Sequence, residues 1–173
     1  MEISSDITLK GTDWNTAITK LSAIFATRTH YSLFMLCLSI GIMYDKRIDT
    51  PEENGEENKS VPRNVLQNND AGQLDTFFQA AILSTETESF SEDERLELAF
   101  GEARGEKKNT DFNKIAFLVS FANYGVHKLV ELIGHTDIES MENIKNFLLA
   151  SADGRNLEID SLPIEELDDI EDL

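Results

Sequence analysis

The chain has 173 residues, and its 33 Asp and Glu against 15 Lys and Arg give a formal net charge of −18. This charge repels nucleic acids and anionic membrane surfaces at long range, which disfavours direct binding to DNA or to a membrane. The single cysteine, Cys37, excludes an intramolecular disulfide, and residues 1–6 carry neither the basic nor the apolar part of a signal peptide. The longest apolar stretch, residues 31–44, is shorter than the roughly 20 residues of a membrane span. We therefore expect a cytoplasmic protein in a reducing compartment.

The first 40 residues predict a short extended segment and two helices. Residues 7–10 alternate apolar and polar side chains, which is typical of a strand. Thr12 and Asp13 are the candidate N-caps of a first helix that ends near Thr27. A second helix over residues 29–40 is apolar on nearly every side, so we expect it at the centre of the fold.

Residues 45–68 differ in composition from the rest of the chain. The stretch at 51–58 combines Pro, Gly, four Glu and two Asn, and it contains no large apolar side chain. This composition favours a solvated loop over a packed element. We therefore predict one long surface loop at 45–68, which is either disordered or has a function of its own.

Four further helices are predicted from apolar side chains at helical spacing. The third begins after Asn69 or Asp70, and the fourth begins at the capping-box pair Ser91 and Glu94. The sixth helix, at residues 138–150, places five apolar side chains on one face, namely Ile138, Met141, Ile144, Phe147 and Leu148.

Two glycines lie inside predicted helices. Gly41 either allows close packing of the second helix or marks its end. The fifth helix covers about residues 111–133 and is interrupted by Gly125, where we expect a kink. Gly134 ends this helix.

Together these elements predict a mainly α fold. It is a helical bundle of about six helices, with a short N-terminal extended segment and an acidic C-terminal tail. We expect one helical domain at residues 1–152, which includes the surface loop at 45–68. A separate acidic and apolar tail follows at residues 153–173.

The tail combines acidic and apolar side chains. It contains nine Asp and Glu and one Arg, which account for −8 of the net charge of −18. Its apolar residues recur mostly at a spacing of three, as in peptides that dock into a groove as a helix. The predicted partner-binding residues are Leu162, Ile164, Leu167, Ile170 and Leu173. The alternatives are a solubilising chain end or packing of the tail onto its own domain.

Few residue patterns of this chain point to a catalytic or metal site. His30, His127 and His135 lack the spacing of a metal-binding pair. Cys37 lies in an apolar helix, where its thiol would be protonated and inert. The carboxylates of residues 86–97 do not match a calcium loop and indicate a solvated surface. We therefore predict no catalytic residue, no metal site, no cofactor and no enzymatic activity.

Three segments in a fixed order resemble a known family. They are residues 31–41 (YSLFMLCLSIG) with the following Lys46-Arg47 pair, a helix at 74–86, and residues 121–126 (FANYGV) with Leu129. Over residues 31–133 the chain resembles the small accessory proteins of bacterial DNA-phosphorothioation (Dnd) loci. It is also similar to the small middle components of three-component antiphage systems built around an ABC/SMC-type ATPase and a nuclease. Residues 123–125 approximate the Tyr-Ala-x-x-Gly run associated with the family.

The resemblance implies a non-catalytic accessory or adaptor subunit of a prokaryotic antiphage DNA-defence complex. Such a subunit docks onto a larger ABC/SMC-type ATPase or nuclease, contacts DNA only through the complex and has no membrane partner. The resemblance carries over no catalytic residue, because its matched positions are packing positions of the core. These positions include Phe34, Leu38, Phe77, Ala81, Phe121 and Leu129.

Two alternatives follow from the residues alone. The acidic surface fits an inhibitor that mimics the charge of DNA and binds a DNA-binding protein. The strand and two helices predicted over residues 7–40 fit a ribbon-helix-helix regulator. That strand offers Lys10 as its one basic side chain to a DNA major groove.

Overall fold

The computed structural model describes residues 3–25, 30–53, 55–101 and 112–152. The described fold is mainly α, as the sequence predicts, with seven helices and a two-stranded antiparallel sheet. The strands are β1 (Ile7–Leu9) and β2 (Lys59–Val61). The helices are α1 (Thr12–Lys20), α2 (His30–Tyr44), α3 (Arg63–Asn69), α4 (Gln73–Ser84), α5 (Glu92–Phe100), α6 (Lys114–Glu131) and α7 (Asp137–Ala152).

Helices α2 and α6 form the centre of the described fold. They make the most extensive contact between any two of its elements. α2 buries eight of its 15 residues, as expected for a helix that is apolar on nearly every side. α6 buries every residue from Ser120 to Val126. The hydrophobic core therefore lies along this helix pair, and the other elements surround it.

Two glycines set the distance between α2 and α6. A Cβ on Gly41 would overlap the backbone of Phe121, and a Cβ on Gly125 would overlap the carbonyl group of Cys37. Gly41 therefore serves close packing, which is one of its two predicted roles. α6 continues through Gly125 to Glu131. The predicted interruption of this helix is wrong, because the glycine is needed for backbone contact with α2.

Phenylalanine rings fill the space between α4 and α6. The ring centroid of Phe117 lies 5.1 Å from that of Phe121 and 6.0 Å from that of Phe78. Phe112, just before α6, lies 5.4 Å from Phe117. Edge-to-face pairs of this kind each contribute about 0.5–1.5 kcal/mol beyond the burial of their area. The cluster therefore fixes α4 against the central helix pair.

The prediction of one long loop at residues 45–68 is wrong, because β2 lies within it and α3 begins there. β2 pairs antiparallel with β1, so that Ile7 lies opposite Val61 and Leu9 opposite Lys59. The side chains of Ile7, Leu9 and Val61 are buried. A strand of three residues has no detectable period of its own. Its structure is decided by the distant strand β1, which supplies its hydrogen bonds.

The ends of α1 also differ from the prediction. Neither Thr12 nor Asp13 is its N-cap, because the cap residue is Gly11 with a φ of +105°. The backbone N–H of Thr12 donates to the carbonyl oxygen of Glu52 at 2.8 Å, which takes the place of a side-chain cap. α1 is shorter than predicted and ends at Lys20, after which the chain continues in turns.

The other capping signals are closer to the structure. The Ser91 side chain accepts from the backbone N–H of Glu94, and the Glu94 carboxylate accepts from the backbone N–H of Ser91, so the predicted capping box is confirmed. The backbone N–H and the hydroxyl of Ser91 both donate to the Glu94 carboxylate, and these two bonds hold the pKa of the Glu94 carboxyl below its usual range. Gly72 is the cap residue of α4. Asp70 nevertheless accepts from the backbone N–H of Leu74 at 2.9 Å.

Candidate partner-binding surface

α7 lies on the outside of the described fold and is held there by few side chains. Ile144 and Phe147 are its large apolar side chains that reach the core. The Phe147 ring stacks on that of Tyr44, with centroids 6.4 Å apart. Nδ2 of Asn143 donates to the carbonyl oxygen of Leu132 at 3.2 Å. α7 is therefore fixed along one side only.

Thr136 and Glu139 fix the start of α7. Oγ1 of Thr136 accepts from the backbone N–H of Glu139 at 3.1 Å, and Oε2 of Glu139 accepts from the backbone N–H of His135 at 2.7 Å. The Thr-x-x-Glu spacing is a helix-start signal that is visible in the sequence. It places the first helical residue at Asp137, one position before the predicted start.

The apolar face predicted for this helix is divided in the structure. Two of its five side chains are buried, but the other three face solvent, so the prediction of one common face is wrong. The exposed fractions are 67% for Ile138, 52% for Met141 and 40% for Leu148, and Leu149 beside them is 53% exposed. Ile138, Met141, Leu148 and Leu149 together form the α7 stripe.

The α7 stripe occupies one side of the helix. With about 100° between successive residues, its four side chains fall within an arc of roughly 100°. The exposed Lys145 lies inside this arc, Glu142 borders it on one side and Asp137 borders it on the other. An apolar stripe with charged borders is typical of a helix that packs against another helix. Contiguous exposed apolar patches on proteins are commonly protein, membrane or ligand interaction sites.

The tail residues predicted to bind a partner lie outside the residues that the structure describes. They are Leu162, Ile164, Leu167, Ile170 and Leu173, and their role stays a prediction. Elsewhere in the described ranges, the exposed large apolar side chains are Met43 on α2 and Leu83 on α4. These two lie on different helices, so the α7 stripe is the main apolar surface of this part of the chain.

A cleft of about 370 Å³ lies between α1, α6 and residues 48–52. Nε1 of Trp14 donates to Oδ1 of Asn123 at 2.9 Å in its wall. Nδ2 of Asn123 donates in turn to the carbonyl oxygen of Ile48 at 2.9 Å. The volume is within the range of small-molecule sites. The Asn123 amide, however, is bonded at both ends to the protein itself.

His127 lies at the edge of this cleft between two carboxylates. Its Nδ1 is 2.9 Å from Oδ2 of Asp13, and its Nε2 is 3.6 Å from Oε1 of Glu131. All three side chains are at least one-third exposed. Each ring nitrogen therefore has a carboxylate partner. This arrangement is a surface network of one histidine and two carboxylates, and none of its members is a nucleophile such as Ser or Cys.

Three other reactive side chains are buried or bonded within the fold. Nδ1 of His30 lies 3.0 Å from the carbonyl oxygen of Ser60. Burial raises the pKa of the Cys37 thiol well above its usual range. Burial and the nearby Asp70 carboxylate raise the pKa of the Tyr31 hydroxyl. Across the described ranges, no three His, Cys, Asp or Glu side chains form a group that could hold a metal ion.

Among the helices of the described ranges, none combines the length and the apolar character needed to cross a bilayer. Comparisons of the chain with protein-family models, with curated proteins and with solved structures found no match. The resemblance to accessory proteins of Dnd loci therefore stays a prediction from its three segments.

Proposed function

We propose that this chain is a non-catalytic accessory or adaptor subunit of a prokaryotic antiphage DNA-defence complex, which docks onto a larger ABC/SMC-type ATPase or nuclease. The observation that carries the adaptor role is the α7 stripe, which marks a chain that assembles with other chains, while the charge and the tail support the contact with the larger partner. Four of the six large apolar side chains of one helix are exposed to solvent, as in a protein that works through contact with other proteins. The defence setting comes from the resemblance of residues 31–133.

The charge of the chain supports a basic partner. A net charge of −18 steers the protein towards positively charged surfaces. ATPases and nucleases that act on DNA offer such surfaces, because they neutralise phosphates with Lys and Arg. The tail adds a net charge of −8 and seven large apolar side chains in one segment. DNA is then contacted only through the complex.

The two alternatives have less support. A DNA mimic needs carboxylates in a regular array, whereas those of Asp13, Glu88 and Glu94 take part in contacts within the chain. A ribbon-helix-helix regulator pairs its first strand with that of a second copy. Here β1 pairs with β2 of the same chain.

Co-purification from the native host tests the proposed function. A tagged full-length chain is isolated, and the proteins recovered with it are identified by mass spectrometry. We expect the ATPase or nuclease encoded beside this gene, in amounts comparable to the tagged chain. A monodisperse chain recovered without either protein would overturn the proposal.

A truncated chain tests the role of the tail in the same experiment. Ending the chain before Ser161 removes all five predicted partner-binding side chains. We expect weaker recovery of the partner, while the circular dichroism spectrum still reports a folded helical domain. Recovery equal to that of the full-length chain would exclude the tail as the docking segment.

A further inference from the structure

We propose that the α7 stripe binds the α7 stripe of a second copy of this chain, in an antiparallel helix pair whose two-fold axis crosses the stripe at the level of residue 143. The proposal rests on the proposed function only in treating α7 as a protein-binding surface. It leaves the contact with the larger partner to the tail and to the acidic surface. Two-fold dimers are also the commonest form of soluble oligomer.

The exposed residues of α7 have the spacing of a helix–helix seam. They follow one another at intervals of three, four and three, which is the a and d pattern of a heptad: Ile138, Met141, Lys145 and Leu148. Leu149 lies directly beside this seam. From Ile138 to Leu149 the helix rises by about 16 Å, or three turns. This length suits a short helix pair rather than a long coiled coil.

An antiparallel arrangement makes the seam complementary to itself. With the axis at the level of residue 143, Ile138 faces Leu148 of the second copy at each end of the pair. Met141 faces the aliphatic stem of Lys145 of the second copy, so the lysine covers apolar surface while its ammonium group reaches the edge of the seam. Every large apolar side chain of the seam therefore gains an apolar neighbour.

Charge favours the antiparallel direction over the parallel one. In the antiparallel pair, Glu142 of each copy lies beside Lys145 of the other copy, which gives two ion pairs. Within the described part of the chain, neither residue takes part in an ion pair. A parallel pair would place Lys145 of one copy next to Lys145 of the other. It would also place the acidic first turns of the two helices, with Asp137 and Glu139, side by side.

The net charge of the chain limits how tightly two copies bind. A charge of −18 on each copy opposes association, but at about 0.15 M salt a Debye length of about 8 Å screens the distant charges. An interface of one helix pair is also at the small end of specific interfaces. We therefore expect a dissociation constant on the order of 10 μM.

Sedimentation velocity of the purified full-length chain over a concentration series measures the dimer directly. We expect wild type to dimerise, and Met141→Glu to weaken the dimer by at least about tenfold, because it places a carboxylate in the seam. Leu83→Glu is the matched control, since Leu83 is an exposed apolar side chain on α4, and it should leave the dimer unchanged. Circular dichroism confirms that each variant folds.

A charge swap tests the antiparallel register. Lys145→Glu and Glu142→Lys each bring like charges together, and we expect each to weaken the dimer by roughly tenfold. The double variant restores two opposite-charge pairs, so its affinity should return to the wild-type value. Recovery would support the proposed register. A double variant as weak as either single variant would overturn it.

Other outcomes separate this proposal from the proposed function. A wild-type chain that stays monomeric at every concentration overturns the dimer. If Met141→Glu then also abolishes co-purification of the ATPase or nuclease, the α7 stripe belongs to that partner, and the proposed function stands. A dimer that is insensitive to Met141→Glu would likewise overturn the proposal, because its interface would lie elsewhere.

Discussion

The indole of Trp14 and the side-chain amide of Asn123 form a buried hydrogen bond of 2.9 Å between residues that lie 109 positions apart in the chain. Because Asn123 also donates to the carbonyl oxygen of Ile48, α1, α6 and the segment after α2 meet at one side chain. Donor and acceptor of the amide are both satisfied. Burial of this polar group therefore costs little.

Asn123→Leu tests this connection. The change keeps the approximate size of the side chain and leaves the Trp14 N–H and the Ile48 carbonyl without their partner. We expect the free energy of unfolding, measured in urea, to fall by roughly 2–4 kcal/mol. Asn146→Ala, at an exposed position of α7, is the control and should change it by less than about 0.5 kcal/mol. An equally small change in Asn123→Leu would show that the two bonds add no net stability.

Gly125→Ala separates helix propensity from helix packing. Propensity alone predicts a gain in stability of about 1 kcal/mol, because alanine favours a helix over glycine. The overlap of a Cβ with the Cys37 carbonyl predicts the opposite sign. We expect a loss of roughly 3 kcal/mol as α2 and α6 are pushed apart, measured by urea unfolding.

The matched control for this change lies on the same helix. Ala116 is exposed on α6, so Ala116→Gly should follow propensity and cost about 1 kcal/mol. If Gly125→Ala instead stabilises the protein, the backbones of α2 and α6 do not meet at this glycine.

Arg47 and Glu88 form a partly buried ion pair. Removing Glu88 and removing Arg47 should lower the free energy of unfolding by different amounts. The Arg47 guanidinium lies over the rings of Phe117 and Phe121, and its Nη2 is 2.5 Å from Oε1 of Glu88. Its Nε has no hydrogen-bond partner within the described fold. We expect Glu88→Ala to cost roughly 1–3 kcal/mol, because it leaves a mostly buried cation unpaired.

Arg47→Met should cost less than Glu88→Ala. The methionine keeps the contact with the phenylalanine rings and removes the unbonded Nε. In a double-mutant cycle measured by urea unfolding, the double variant should be no less stable than Arg47→Met alone. Strict additivity of the two single changes would contradict a coupled pair.

The capping box of α5 predicts a specific dependence of stability on pH. The pKa of Glu94 is lowered by the hydrogen bonds from the Ser91 backbone and side chain. A lowered pKa in the folded state stabilises the fold above the ordinary glutamate pKa of about 4.3, and this stabilisation is lost as the pH falls through the lowered pKa. We expect the difference in unfolding free energy between wild type and Glu94→Gln to be constant between neutral pH and about pH 4.3. Below about pH 4.3 this difference should shrink.

Ser91→Ala removes the hydroxyl that donates to the Glu94 carboxylate and accepts from the Glu94 backbone N–H, and it keeps the backbone N–H bond to that carboxylate. It should lower stability at neutral pH by about 1 kcal/mol, the usual cost of losing an N-cap. Its difference from wild type should also shrink in acid. A difference that is independent of pH for both variants would show that the Glu94 carboxylate takes no part in the cap.

The parts of this fold that the sequence predicts well depend on local chemistry. The all-round apolar pattern of α2 and the Ser91–Glu94 capping box are written into neighbouring residues, and both are confirmed. The strand β2 is different, because its three residues form a strand only when β1 pairs with them. Asn123 is a similar case. Its position in an apolar run shows that it is buried, but not that Trp14 is its partner.

The sequence predicts only part of the candidate binding surface. Helical spacing identifies Ile138 and Met141 as apolar positions of α7. Which apolar side chains of α7 face the core depends on residues that are distant in the chain. Tyr44 is one of them, and its ring packs on Phe147 rather than on Ile138 or Met141. The Thr136-x-x-Glu139 spacing is a local signal in the sequence that marks the start of this helix.

The central pairing of α2 with α6 has a consequence for synthesis of the protein. α2 leaves the ribosome first, and about 90 further residues must be added before α6 is complete. At about 5–20 residues per second, this delay lasts roughly 4 to 18 s. During that time an almost wholly apolar helix lacks the main surface that covers it. The nascent chain should therefore be a chaperone client, and its yield should fall when chaperones are depleted.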